Sequence, residues 1–144
     1  FSEAFDLVVG ANHPLALHND LDLDVELVRE ARILIHADPD MAEFETDRLD
    51  AAGISLAHAH EVDSDRDLEA LVVAEFGVAI MPASAMNSSR VRHLACSALD
   101  LRRTVAIYSV AGRPRSREAA ALLNLVRSAD WSRALTAHQL DGVE

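Results

Sequence analysis

Cysteine occurs once, at Cys96, so no intramolecular disulfide can form, and no CxxC or Cys/His ladder surrounds it to hold zinc. A reduced, cytoplasmic setting fits that usage. Glycine is scarce, five in all, and neither G-x-G-x-x-G nor G-x-x-x-x-G-K follows a strand-like run, which leaves nucleotide binding unsupported. No G-x-S-x-G elbow accompanies Ser84, Ser88 or Ser89, so nucleophilic catalysis lacks its local signature. Basic residues are outnumbered, 13 Lys and Arg against 24 Asp and Glu, and the net charge of −11 repels phosphate backbones and anionic membranes. Contact with DNA has to come from outside this chain. No apolar run approaches the roughly 18 residues needed to span a bilayer, and no charged-then-apolar leader opens the chain.

What is present is a chain of 144 residues, 50% of them hydrophobic, enough for one domain core or for two small lobes sharing one. The opening lacks Met and is already strand-like, so Phe1 is expected to be a cut inside a longer protein. The most legible stretch is 62–84, VDSDRDLEALVVAEFGVAIMPAS. Ser64 followed by Asp67 resembles a capping box, and Asp63, Asp65 and Asp67 read as helix-start charges. Leu68, Leu71, Val72 and Phe76 form one apolar stripe with a period near 3.6. Gly77 is the expected left-handed cap, and VAIM (78–81), stopped by Pro82, is a strand buried on both faces.

The remaining elements follow from similar signals. Residues 5–9 (FDLVV) form a strand closed by a turn at 10–14, and a short helix is expected around 25–29. Ile33, Leu34 and Ile35 make a second buried strand, after which Asp38 as N-cap and Pro39 at the first helical position start a helix. That helix presents Met41, Phe44, Leu49 and Ala52 on one face and ends at Gly53. A third strand is expected over 56–62, with Leu56, His58, His60 and Val62 on one side. Weaker strand character at 91–94 precedes TVAIYSV (104–110), a better strand. Ser116 then caps a helix with Ala119, Leu122, Leu123 and Val126 on one apolar face, and 130–138 adds a short one carrying Trp131. Strands alternating with helices of about 10 to 15 residues imply an α/β fold with a mainly parallel sheet covered on both faces. Ligands in such sheets bind at the carboxyl ends of strands, here 36–38 and 81–83, with the helix start at 63–65 beside them.

His58 and His60, projecting from one strand face, suit two ligands of a metal, with His36 or a carboxylate as a third; two histidines on a partly wet face is the plainer reading. Arg102, Arg103, Arg113 and Arg115 form the only basic cluster and read as solvated loop charge.

HPLA (13–16) after a strand and LVVAEFGVAIMP (71–82) after a helix are the two most specific pieces of a longer order: the strand 33–35, then 61–64, then 103–112 with Ser116 opening a helix. Together they resemble the effector-binding domain of LysR-type transcriptional regulators, over roughly 2–127. The resemblance implies a type 2 periplasmic-binding-protein-like fold, two α/β lobes joined by crossing strands with a small molecule between them. On that pattern about 10–95 is the second lobe, about 1–9 and 101–128 are the crossing strand and the return to the first lobe, and 129–144 is a C-terminal tail. The winged helix-turn-helix, the linker helix and the first half of the first lobe would precede Phe1, and both 104–110 and the helix opened by Ser116 are expected to pack on that missing half.

The family's cleft residues carry over to His36, Ala37 and Asp38, with Ser64 and Pro82 as neighbours. The effector is then expected to be a small organic anion, held without cofactor, metal or catalysis, in a homodimer or homotetramer that binds DNA only through the absent helix-turn-helix. One departure stands out: Glu75 occupies a position where the family usually has Gly, so the helix is expected to run further. The alternatives are a solute-binding protein of the same fold, with an export signal upstream, and a metal or hydrolytic enzyme using His36, His58 and His60.

Overall fold

A computed structural model describes residues 1–18, 22–37, 42–110, 112 and 114–131, without the side chains of 42–45. The sheet is built on β1 (Ser2–Gly10), whose inner residues Phe5 to Val9 are all buried. Strand order is β3 (His60–Val62), β2 (Ile33–His36), β4 (Val78–Pro82), β1 and β5 (Val91–Leu94), with β6 (Arg102–Thr104) beside the first residues of β1. The expected α/β architecture is present, but the sheet is mixed. β2 runs parallel to β3 and β4, whereas β1 runs antiparallel to β4, β5 and β6. The parallel part is the part connected through helices α2 (Ala42–Ala51) and α3 (Asp65–Val73), as crossover connections require.

The apolar run in β4 is explained by its two faces. Val78 and Ile80 join a cluster with Phe5, Leu7, Val9 and Leu49, while Ala79 and Met81 join Val8, Leu34, Leu68 and Val72. The first cluster includes Val28 of α1 (Val25–Arg29) and Leu49 of α2, and the second includes Leu68 and Val72 of α3, so helices cover both faces. Of the α2 stripe read from the sequence, Leu49 is buried and Ala52 packs against the first cluster; the side chains of Met41 and Phe44 lie outside the described residues.

α3 starts where its sequence says, with Ser64 as N-cap accepting the Asp67 N–H at 3.2 Å. Its end differs. The helix stops at Val73 with Ala74 as C-cap, and the residue in the left-handed region is Glu75, φ 58°. The helix therefore does not run on past the unusual residue; Glu75 takes the strained conformation itself. Gly77 is needed for another reason, since a Cβ there would lie 2.5 Å from the Arg32 carbonyl oxygen. Phe76, expected in the buried stripe, falls beyond the helix and is 41% exposed, lying under the Arg32 guanidinium at 4.6 Å and against His60 at 5.3 Å.

Two further expectations are corrected. Leu56–His58 is a 3₁₀ turn capped by Ser55, so β3 begins only at His60. A serine hydroxyl accepting the Ala57 N–H draws the chain into a turn where period-2 apolar spacing alone suggested extension. The strand expected over 104–110 is confined to β6; beyond Val105, which bonds Phe1, no described residue offers 106–110 a ladder, and Ile107, Tyr108 and Val110 are exposed. α4 (Arg117–Ser128) forms with Ser116 as its cap, as expected; none of its residues is buried, and Leu122 and Leu125 are largely exposed. Apolar periodicity made the helix amphipathic, but no described element covers its apolar side. Of the expected helix over 130–138, only Asp130 and Trp131 lie within the described residues.

Candidate ligand-binding site

The parallel pairing sends the carboxyl ends of β2, β3 and β4 to one edge of the sheet. There His36 is in register with Val62, and Pro82 with Phe5 of the oppositely running β1. His36, Ala37, Ser64 and Pro82 therefore gather on the same edge, while Asp38 lies outside the described residues.

Each has a defined occupation. His36 is partly buried and its Nε2 lies 3.8 Å from Asp65 Oδ1 in the first turn of α3. The exposed Ala37 donates its N–H to the Val62 carbonyl at 3.0 Å, which binds the residue after β2 to the last residue of β3. Ser64 Oγ accepts from Asp67 N–H and donates to Asp67 Oδ2 at 2.8 Å, so the hydroxyl is committed to capping. Pro82 is buried and ends β4, and the chain then turns with Ala83 N–H bonded to the Ala4 carbonyl at 3.0 Å.

Two buried acids on this side of β1 escaped the sequence reading. Glu3, only 4% exposed, accepts the Ser84 N–H at 2.9 Å and Arg103 Nε at 2.7 Å. Burial works to raise the Glu3 pKa, but hydrogen bonds from Ser84 and Arg103 together with the Arg103 charge outweigh it and hold the carboxyl below its ordinary range. Asp6, 7% exposed, faces His93 Nδ1 at 3.3 Å, and the buried His93 Nε2 has no hydrogen-bond partner among the described residues. The available signal was alternation: Glu3 shares a face with Phe5, Leu7 and Val9, an acid in an otherwise apolar row. Arg103, read as solvated loop charge, is instead paired with Glu3.

His58 and His60 do not share the one strand face on which both readings of them rest. His58 sits in the 3₁₀ turn and His60 in the strand after it, with the His60 ring against Phe76. Among the described residues no cluster of three or more His, Cys, Asp or Glu is arranged to hold a metal ion. A groove of about 440 Å³ opens at the opposite, amino edge of the sheet, lined by His13, Leu15, Leu27, Arg32 and Phe76 among others and by none of the expected cleft residues. No helix among the described residues is long and apolar enough to cross a membrane.

An α/β sheet that gathers strand ends and a capped helix start on one edge has the architecture of a small-molecule-binding domain. The family model described as the LysR substrate binding domain matches residues 1–131, so the chain belongs to that family, whose fold is type 2 periplasmic-binding-protein-like. No curated protein matches it.

Solved structures similar to it include the regulatory domain of Synechocystis PCC6803 CcmR in complex with 2-PG, with a TM-score of 0.69 and 11% identity over 88% of this chain and 62% of that one. The effector binding domain of QuiR in complex with shikimate has a TM-score of 0.56 and 18% identity over 85% and 59% of the two chains. The BenM effector binding domain with its effector benzoate has a TM-score of 0.57 and 20% identity over 67% and 46%. At these identities the likeness concerns the fold, and the chain spans about half to three-fifths of these neighbours' length.

Proposed function

We propose that this chain is the C-terminal part of the ligand-sensing domain of a LysR-type transcriptional regulator, and that it supplies one wall of a cleft for a small organic acid. The observation that carries the reading is the convergence of His36, Ala37, Ser64 and Pro82 on the carboxyl edge of the sheet, within a chain of this family. On this reading about 10–95 is the second lobe, about 1–9 and 101–128 are the crossing strand and the return to the first lobe, and 129–144 is a tail. An anionic effector is favoured by two considerations. The first turn of α3 presents the helix N-terminus beside His36, with the Asp67 N–H taken by the Ser64 cap and with Asp65 and Asp67 as the opposing charges an effector's anion has to outweigh. The similar structures from QuiR and BenM hold shikimate and benzoate, both carboxylates at neutral pH.

The mechanism is non-catalytic. An effector that binds the closed arrangement of the two lobes better than the open one shifts the population toward closure, and the changed lobe angle alters how a cytoplasmic homodimer or homotetramer presents its DNA-binding heads. DNA contact belongs to a helix-turn-helix outside this chain, in keeping with the net charge of −11.

A thermal-shift screen of small carboxylates and aromatic acids on the full-length protein tests the reading. A ligand at about 100 times its Kd stabilises by about 2.7 kcal/mol, a clear upward shift in melting temperature. No shift with any organic acid, alongside a shift with neutral or cationic ligands, would overturn the anionic assignment.

A further inference from the structure

Among the described residues Glu3 is the most deeply buried ionisable side chain at the carboxyl edge, its side chain 2% exposed, and both its oxygens are in use. Oε1 accepts from Arg103 Nε at 2.7 Å and Oε2 accepts the Ser84 N–H at 2.9 Å. The two partners belong to different segments. Arg103 lies on β6 directly opposite Glu3 in the β1/β6 register, whereas Ser84 follows Pro82 at the corner where β4 ends. Secondary bonds run the same way: Ser2 Oγ donates to the Arg103 carbonyl at 3.1 Å, and Ala83 N–H donates to the Ala4 carbonyl.

We propose that Glu3 is a positioning residue of the effector cleft: its carboxylate ties both crossing strands to the corner containing Pro82 and Ser84, so that the cleft wall follows the strands when the lobes move. The inference rests on the proposed reading of β1 and β6 as connections between lobes. The chemistry requires a carboxylate. Two donors, one of them a guanidinium, converge on a group buried in the row of Phe5, Leu7 and Val9. Removing a donor leaves the buried Glu3 carboxylate without that partner, a larger cost than losing an exposed pair, whereas the half-exposed Arg103 can turn to water. A glutamine keeps the shape but offers one acceptor oxygen, and its NH₂ group would face either Arg103 or Ser84 donor to donor.

The test is hydrogen exchange on the full-length protein, comparing wild type, Glu3→Gln and Arg103→Lys, with benzoate and shikimate as binding probes. Glu3→Gln is expected to speed exchange at 83–85 and 102–104 at least tenfold while leaving α3 unchanged. Arg103→Lys, which keeps the cation but not the Nε geometry, is expected to act at the same two segments and less strongly. A uniform acceleration that includes α3, or no change at 83–85 in either variant, would overturn the positioning role. Failure of wild type to bind either probe counts against the effector reading and leaves the exchange result to decide Glu3. Where wild type binds, an unchanged Kd in a Glu3→Gln protein whose 83–85 exchange has risen would equally overturn the role.

Discussion

Gly77→Ala is expected to be among the most damaging single-methyl changes in this chain. Gly77 does not have a positive φ, so the cost is not one of backbone preference. It comes from space: the new Cβ would sit 2.5 Å from the Arg32 carbonyl oxygen and 3.0 Å and 3.2 Å from Leu34 side-chain carbons. The nearest atom is backbone, and it is in use, because Arg32 O accepts the Val78 N–H at 2.9 Å. That bond starts the pairing in which Ile33 lies opposite Val78 and Leu34 opposite Ala79.

Relief by moving the carbonyl weakens this junction and shifts Leu34, which is fully buried. Overpacking of a filled core costs about 1–3 kcal/mol, and a strained backbone bond adds about 1 kcal/mol. A loss of roughly 3 kcal/mol follows, which at roughly 3–4 °C per kcal/mol for a chain of this size is a fall in Tm of about 10 °C. Urea denaturation of wild type and variant with equal m-values measures it. A Gly77→Ala protein within about 0.5 kcal/mol of wild type would refute the close-approach argument, since that is the range of featureless surface changes.

Other consequences can be checked on the same preparations. Glu75→Gly is expected to stabilise by up to about 1 kcal/mol, relieving a left-handed non-glycine residue, and Glu75→Ala is expected to give no such gain in the same denaturation assay. Leu68→Ala, at a fully buried position between α3 and the sheet, is expected to cost about 2–5 kcal/mol. Glu3 gives a signed pH dependence. Its pKa in the folded chain lies below the value of 4.5 for the free carboxyl, so its contribution is fully present above that value and is lost as pH falls from there through the lower folded pKa. Acid unfolding followed by circular dichroism should show a shallower pH dependence below about pH 4.5 in Glu3→Gln than in wild type.

Local chemistry made much of the fold readable from the sequence. Ser64 with its acids, Ser116 ahead of its helix, and the unbroken apolar run of β4 each carry a signal that does not depend on distant partners. The errors fall where distant partners decide. Gly77 was recognisable as necessary but not as a close-approach glycine, because the atom it makes room for is on Arg32. The segment 105–110 has strand composition but no ladder among the described residues, and alternation in 56–62 lost to a serine-capped turn.

The expected cleft residues His36, Ala37, Ser64 and Pro82 were placed by family pattern, and topology explains why residues so far apart in sequence share an edge. Glu3 was hidden by the apolar character of its own strand. Its importance lies in Ser84 and Arg103, 81 and 100 residues away.

The most direct test of the account is a hydrogen-exchange footprint of the bound effector on the full-length protein. Any carboxylate found by thermal shift should protect 36–37, 63–66 and 82–84 at the carboxyl edge and leave the amino-edge groove around His13, Arg32 and Phe76 unchanged. Protection confined to that groove, with the carboxyl edge unaffected, would contradict the assignment of the site.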